Sequence, residues 1–163
     1  MVRFRHYVGG DGSVDEYHTL PNIIKKFSPN LKGFSVNKGK VDSTNARLNV
    51  AVPGNKSSYI SFVVYRDMPG QARLLVQRMN EDPEIDMDND WKIITVFIGG
   101  NDLCDYCDDP AQYSAETYKG NIQEALDILH ENVPKAFVNL VEVLNIANVN
   151  QLNSNPICDV LHL

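Results

Sequence analysis

Apolar side chains recur at helical spacing in three segments of this chain. The pattern predicts helices at residues 20–27, 67–80 and 121–133. Thr19 directly precedes the first segment and Asp67 is the first residue of the second, and both residue types cap helices by accepting hydrogen bonds from backbone N–H groups. The first helix is predicted to be short and amphipathic, with one apolar face formed by Leu20, Ile23, Ile24 and Phe27.

Continuous β-branched and aromatic runs alternate with these helices. They predict strands at residues 59–65, 93–98 and 135–146, and a further β-branched segment predicts a strand that ends at Gly54. Strands separated by single helices favour an open, mostly parallel sheet. The sequence therefore predicts an α/β fold with helices on both faces of the sheet, in which functional sites lie outside the carboxyl ends of the strands.

The sequence Gly99-Gly100-Asn101 follows the strand predicted at residues 93–98. Glycines allow the backbone to bend there, and the Asn101 amide can donate a hydrogen bond to negative charge that develops on a substrate oxygen. A plain Gly-Asn turn is the alternative interpretation of these residues.

Length and charge restrict the classes of function. The chain has 163 residues, 43% of them hydrophobic, which fits one globular domain. Its 15 Lys and Arg residues against 21 Asp and Glu give no general basic surface, so we do not expect nucleic-acid binding. The chain as written contains neither a signal-peptide core nor an apolar run long enough to cross a membrane.

Several long phrases resemble one family of hydrolases. They are YVGGDG, TLPNIIKKF, LNVAVPGN, DMPGQARLLVQRM, DWKIITVFIGGNDLCDYC and ALDILHENVPKAFVNLVEV. In this order they resemble the phospholipase B lipases of the GDSL, or SGNH, hydrolase superfamily, from roughly Phe4 to Asn148. The resemblance implies that residues 1–163 are the middle portion of such a domain, an incomplete flavodoxin-like three-layer α/β/α fold.

The resemblance also implies a function. Such lipases cleave acyl esters of phospholipids and lysophospholipids through an acyl-serine intermediate, with no metal or organic cofactor. It further implies a membrane surface as partner and an extracellular or apical plasma-membrane location. By motif, Gly54 resembles the glycine of the oxyanion hole, and Asn101 resembles its asparagine.

The catalytic serine and its base are not found where the resemblance places them. No Gly-Asp-Ser occurs in the chain, and Ser13 lacks the preceding apolar strand that would expose a nucleophile, so none is identified. Asp159 and His162 have the D-x-x-H spacing of the acid and base, but that block comes later in the family. We therefore interpret these two residues as the tail of the chain rather than as the catalytic pair.

Residues 56–66 interrupt the resemblance. The family has only a few residues between the phrases that contain Gly54 and Asp67, whereas KSSYISFVVY intervenes here. The segment is interpreted as an insertion: either an extra loop or lid near the site, or non-native sequence from an imperfect gene model, which we favour.

Two other readings of the chain stay open. The missing nucleophile allows a non-catalytic α/β binding module, and Cys104 with Cys107 allows a thiol redox domain. For these cysteines a local disulfide or two nearby thiols is favoured over half a zinc site, and the resemblance to an exported family favours the disulfide. The acidic stretch at residues 81–90 is interpreted as a solvated turn because Trp91 replaces the glycine that a calcium loop requires.

Overall fold

The structure, a computed structural model, describes residues 9–58 and 67–143. Within these residues lie four α-helices, one 3-10 turn and two β-strands. The helices are α1 (Leu20–Lys25), α2 (Met68–Glu81), α3 (Gly100–Asp105) and α4 (Ala115–Asn132). The strands are β1 (Lys92–Val96) and β2 (Ala136–Leu140), and the 3-10 turn is Thr44–Ala46.

The two strands form a parallel pair, as the sequence predicts. Ile93 lies opposite Phe137, and the ladder continues to Val96 opposite Leu140. Helices α3 and α4 make the connection, since a parallel pair needs a long crossover rather than a hairpin. The prediction of an α/β fold with a parallel sheet is therefore confirmed, although both strands are shorter than the predicted segments.

One face of this sheet carries the core. Alternate side chains of β1 are buried, and Ile94 and Val96 join a cluster with apolar residues of α2 and α4. The most buried members on the helices are Ala72, Met79, Ala125 and Leu129. Helices α2 and α4 contact each other across this cluster, so the period of three or four residues in the sequence corresponds to burial against the sheet.

The opposite face of the sheet is exposed and apolar. Ile93, Phe97 and Phe137 keep 51%, 64% and 63% of their surface accessible. Parallel sheets in α/β proteins have both faces covered. The described residues thus supply two layers of the predicted three-layer arrangement.

The strand predicted to end at Gly54 is wrong. Residues 47–58 contain no strand, and the Asn55 N–H instead donates to the Val52 carbonyl at 3.2 Å, closing a turn around Pro53 and Gly54. Proline followed by a glycine with φ of 80° is typical of a type II turn. The β-branched residues of this segment, such as Val50, pack against the core without joining a ladder. The strand predicted at residues 59–65 lies outside the described residues.

Helix α1 has the predicted position and cap but not the predicted face. The Thr19 hydroxyl accepts from the Asn22 N–H at 3.3 Å. Asn22, however, is buried at 2% exposure, whereas Ile23 and Phe27 are 44% and 86% exposed. The polar side chain is inside because its amide nitrogen serves the preceding loop, donating to the carbonyls of Asp11 at 2.9 Å, Ser13 at 3.3 Å and Tyr17 at 3.0 Å.

Replacing Asn22 with alanine is expected to lower the free energy of unfolding by about 2 to 3 kcal/mol, because carbonyls in the loop lose their donor while the site is closed to water. Chemical denaturation of the purified chain measures the effect. Asn30→Ala, at an exposed position after the same helix, is the matched control and should change stability by less than about 0.5 kcal/mol. Equal effects of the two substitutions would show that Asn22 does not hold this loop.

Candidate active site

The turn between β1 and α3 places Asn101 at the carboxyl end of the sheet, as predicted. Gly99 has φ of 118°, and a Cβ atom there would lie 2.8 Å from the Tyr118 ring and 2.6 Å from Val143. Only glycine fits this conformation and this space. Helix α3, which the sequence analysis did not predict, then begins at Gly100 and carries Asn101 in its first turn.

The Asn101 side chain is fixed by a backbone carbonyl. Its Nδ2 donates to the Asn55 carbonyl at 2.8 Å. A primary amide nitrogen carries two N–H donors, so one bond holds the side chain and the second N–H can serve another acceptor. Asn101 is exposed, which leaves its amide accessible to a substrate.

Gly54 precedes Asn55, the acceptor of this bond, in the turn. It is exposed, and a Cβ atom built on it would meet nothing within 4 Å. Among the described residues, no acceptor is found for its backbone N–H. The bond from Asn101 to Asn55 therefore ties the turn that contains Gly54 to the first turn of α3, so the two residues that the sequence selects as oxyanion donors lie on directly bonded segments. A turn against a helix N-terminus joins them, not two neighbouring strands.

Ser57 and Asp102 form a buried pair, which the sequence analysis missed, between the same two segments. Ser57 and Asp102 are 1% and 3% exposed. The Ser57 N–H donates to both carboxylate oxygens of Asp102 at 2.9 and 3.0 Å, and the Ser57 hydroxyl donates to Oδ1 at 2.5 Å. Asn121 of α4 donates from Nδ2 to the same hydroxyl at 3.3 Å. The pair joins the segment after Gly54 to the helix of Asn101.

Lys56 adds an ion pair at the end of α3. Its ammonium group bonds with the Asp105 carboxylate, donates to the Tyr113 hydroxyl at 3.0 Å and lies 4.5 Å from the centre of the Tyr113 ring. The hydrogen bonds to Asp105 and then to Tyr113 raise the pKa of Lys56 well above its usual range. Lys56 is therefore positively charged at neutral pH and does not act as a base.

Comparison with known proteins identifies the family. The model of the family described as GDSL-like Lipase/Acylhydrolase matches residues 7–162, which is most of the chain. The chain belongs to this family.

Three curated relatives resemble the GDSL domain over nearly its whole length. The human protein named Phospholipase B1, membrane-associated, is 52% identical over 145 residues, or 89% of this chain and 9% of its own length. The rat and mouse proteins of the same name are each 47% identical over 149 residues, or 91% of this chain and 10% of their own length. The chain thus spans about a tenth of the length of the relatives it matches. No solved structure matches it.

Of the remaining catalytic candidates, Ser13 alone lies among the described residues. Ser13 is exposed in the loop before α1, where its backbone bonds with Glu16, Tyr17 and Asn22. Asp159 and His162 lie outside the described residues, so their interpretation as a tail stays a prediction.

The two cysteines near the site are free thiols in the structure. Cys104 in α3 and Cys107 after it are both exposed and are not bonded to each other, so the structure fits the alternative of two thiols and not the disulfide that the resemblance favours. Cys158 lies outside the described residues. Among the residues that are described, no group of three or more His, Cys, Asp or Glu side chains is arranged to hold a metal ion.

The acidic turn has the predicted solvated form. Asp86 is exposed and accepts from the Asn89 side chain at 3.0 Å and from the Asn89 and Asp88 backbone N–H groups. The bond from the Asn89 side chain is the largest cause that lowers the pKa of Asp86. The carboxylate closes its own turn.

None of the helices within residues 9–58 and 67–143 has the length and apolar composition to cross a bilayer.

Proposed function

We propose that this GDSL domain belongs to a lipid ester hydrolase that cleaves acyl esters of phospholipids and lysophospholipids. The observation that carries the proposal is the hydrogen bond from the Asn101 amide to the carbonyl of Asn55, the residue that follows Gly54. Membership of the GDSL-like lipase/acylhydrolase family and the names of the relatives support the substrate class.

The chemistry of the two donors follows from their geometry. When a nucleophile attacks an ester carbonyl, negative charge develops on the carbonyl oxygen. The Gly54 N–H and the second N–H of Asn101 would both donate to this oxygen as an oxyanion hole. Because the Asn55 carbonyl already fixes the Asn101 amide, little reorganisation is needed as the charge develops. Neither donor requires a metal or an organic cofactor.

The nucleophile has to be a serine activated by a histidine base, because the proposed reaction passes through an acyl-serine. The chain contains no Gly-Asp-Ser, and Asp159 with His162 would supply an acid and base only if they reached the oxyanion donors. We therefore propose that residues 1–163 provide the oxyanion half of the site, as the middle portion of a domain, and are inactive by themselves.

The membrane surface is proposed as the place of reaction. Phospholipid substrates are presented at membranes, and the relatives are named membrane-associated. An extracellular or apical plasma-membrane location fits this proposal. Residues 56–66 remain a proposed insertion, but the contacts of Lys56 and Ser57 with α3 favour an ordered start of this segment over non-native sequence at these two positions.

A fluorophosphonate probe tests the acyl-serine chemistry, because it reacts covalently with serines that are activated for attack. The comparison uses two proteins: the 163-residue chain and the protein encoded by the complete transcript, called the full product. We expect the full product to be labelled and the 163-residue chain to remain unlabelled. Binding of lysophospholipid by the full product, with neither labelling nor hydrolysis, would instead support the non-catalytic binding module. Labelling of the short chain at Ser13 would contradict the proposal.

A further inference from the structure

We infer that Asp102 is a positioning residue for the oxyanion hole, acting through Ser57 to hold the Gly54 turn against Asn101. The inference rests on the proposed function for its catalytic meaning. Its structural content, the dependence of the Gly54 and Asn101 positions on Asp102, stands on contacts that can be measured separately.

The first observation is that one side chain satisfies every hydrogen-bond donor of Ser57. Ser57 is 1% exposed, so its N–H and its hydroxyl have no access to water. Asp102 accepts from both groups, and its charge makes these bonds stronger than bonds between neutral groups. An asparagine at position 102 would offer one acceptor oxygen and would turn an NH₂ group towards a donor.

The second observation is the sequence adjacency of the two contacts. Asp102 follows Asn101 in α3, and Ser57 lies three residues after Gly54. The bond from Asn101 to Asn55 and the bonds from Ser57 to Asp102 therefore join the same two segments. Two contacts fix both the distance and the relative rotation of the segments, whereas one contact leaves a pivot.

The third observation is the direction of the Ser57 hydroxyl. Asn121 donates to the Ser57 oxygen at 3.3 Å, so the hydroxyl hydrogen is left for Asp102. Helix α4, which carries Asn121, is anchored in the core. The positioning contact is thus connected to the packed core of the described structure.

The alternative is that Asp102 only stabilises the fold. A buried carboxylate with satisfied bonds destabilises a protein when it is removed, whatever its role in a site. The test must therefore report on Gly54 and Asn101 directly, not on stability alone.

Nuclear magnetic resonance of the ¹⁵N-labelled 163-residue chain provides this report. In Asp102→Asn we expect the backbone resonance of Gly54 and the side-chain amide resonances of Asn101 to shift. We also expect hydrogen exchange of the Ser57 N–H to accelerate by about tenfold or more because its acceptor is weakened. Asp108→Asn, at an exposed position after α3, is the matched control and should move none of these signals.

Ser57→Ala is the second variant, which keeps the backbone N–H and loses only the hydroxyl. It should shift the Gly54 and Asn101 resonances less than Asp102→Asn does. If Asp102→Asn fails to fold, the shift of these resonances in Ser57→Ala still decides the inference. Unchanged Gly54 and Asn101 resonances in a folded Asp102→Asn chain, or in a folded Ser57→Ala chain when Asp102→Asn does not fold, would overturn it.

Kinetics of the full transcript product separate the inference from the proposed function. There we expect Asp102→Asn to lower kcat by about 10- to 100-fold with little change in KM, since displacement of an oxyanion donor affects the transition state. Resonance shifts without any hydrolysis by the parent protein would refute the proposed function and leave the positioning contact intact. If the parent protein is active and Asp102→Asn has the same kcat as the parent, the positioning role is refuted.

Discussion

Replacing Asn101 with alanine is expected to lower kcat for lysophospholipid hydrolysis by about 100- to 1,000-fold in the product of the full transcript. This is the usual effect of removing one oxyanion-hole donor. The amide acts on charge that exists only in the transition state, so KM should change little. Steady-state kinetics with purified protein measures both parameters.

Asn80→Ala is the control for this prediction. Asn80 lies exposed on α2 and also donates from its amide to a backbone carbonyl, that of Val76 at 2.9 Å. Its replacement removes a similar hydrogen bond far along the chain from Asn101 and should leave kcat within about twofold, as is usual for surface substitutions. A kcat in Asn101→Ala equal to that of Asn80→Ala would remove Asn101 from the oxyanion hole.

Replacing Leu129 with alanine is expected to lower the free energy of unfolding by about 3 to 4 kcal/mol. Leu129 of α4 is 2% exposed and belongs to the core cluster with Met79 of α2 and Ile94 of β1. Truncation removes buried methyl groups and leaves a cavity that the packed helices fill only partly. Urea denaturation of the 163-residue chain, followed by circular dichroism, gives the value.

Leu20→Ala is the control for the core prediction, because Leu20 on α1 is 38% exposed and lies outside the core cluster. Leu20→Ala should lower the free energy of unfolding by less than about 1 kcal/mol. A similar loss for both variants would mean that the cluster between α2 and α4 is not the stabilising core of this chain.

The sequence predicts the elements that build this core because local chemistry and packing agree there. Asp67 caps α2 by accepting from the Gly70 N–H at 2.7 Å, and the apolar period that follows corresponds to burial along the helix. Helix α4 begins at Ala115, earlier than predicted, because Ser114 caps a first turn that has no apolar period. Periodicity locates the buried part of a helix, whereas only the cap marks its start.

Where long-range polar contacts determine which side chains are buried, the pattern of apolar residues predicts the wrong face. Asn22 is buried because three loop carbonyls need its amide, and this reverses the face predicted for α1. Ser57 and Asp102 are separated by 45 residues, and nothing in either local sequence indicates that they meet. Such pairs leave no periodic signal, so they become visible only in the folded chain.

The oxyanion candidates could be selected from the sequence, but their arrangement could not. Gly54 and Asn101 are selected by their position in family motifs, and the structure bonds Asn101 to Asn55, the neighbour of Gly54 in the chain. The predicted route to this contact, a strand ending at Gly54, was wrong because Pro53 and Gly54 form a turn. The exposed apolar face of the sheet, with Phe97 and Phe137, fits a domain of which the described residues form a part.

The most direct test of the account is hydrolysis of short-chain esters and lysophospholipid by two purified proteins, the 163-residue chain and the product of the full transcript. We expect turnover by the full product and none above background by the 163-residue chain, since an oxyanion hole acts only after a nucleophile has attacked. Robust hydrolysis by the 163-residue chain, abolished by Ser13→Ala or His162→Ala, would contradict the account.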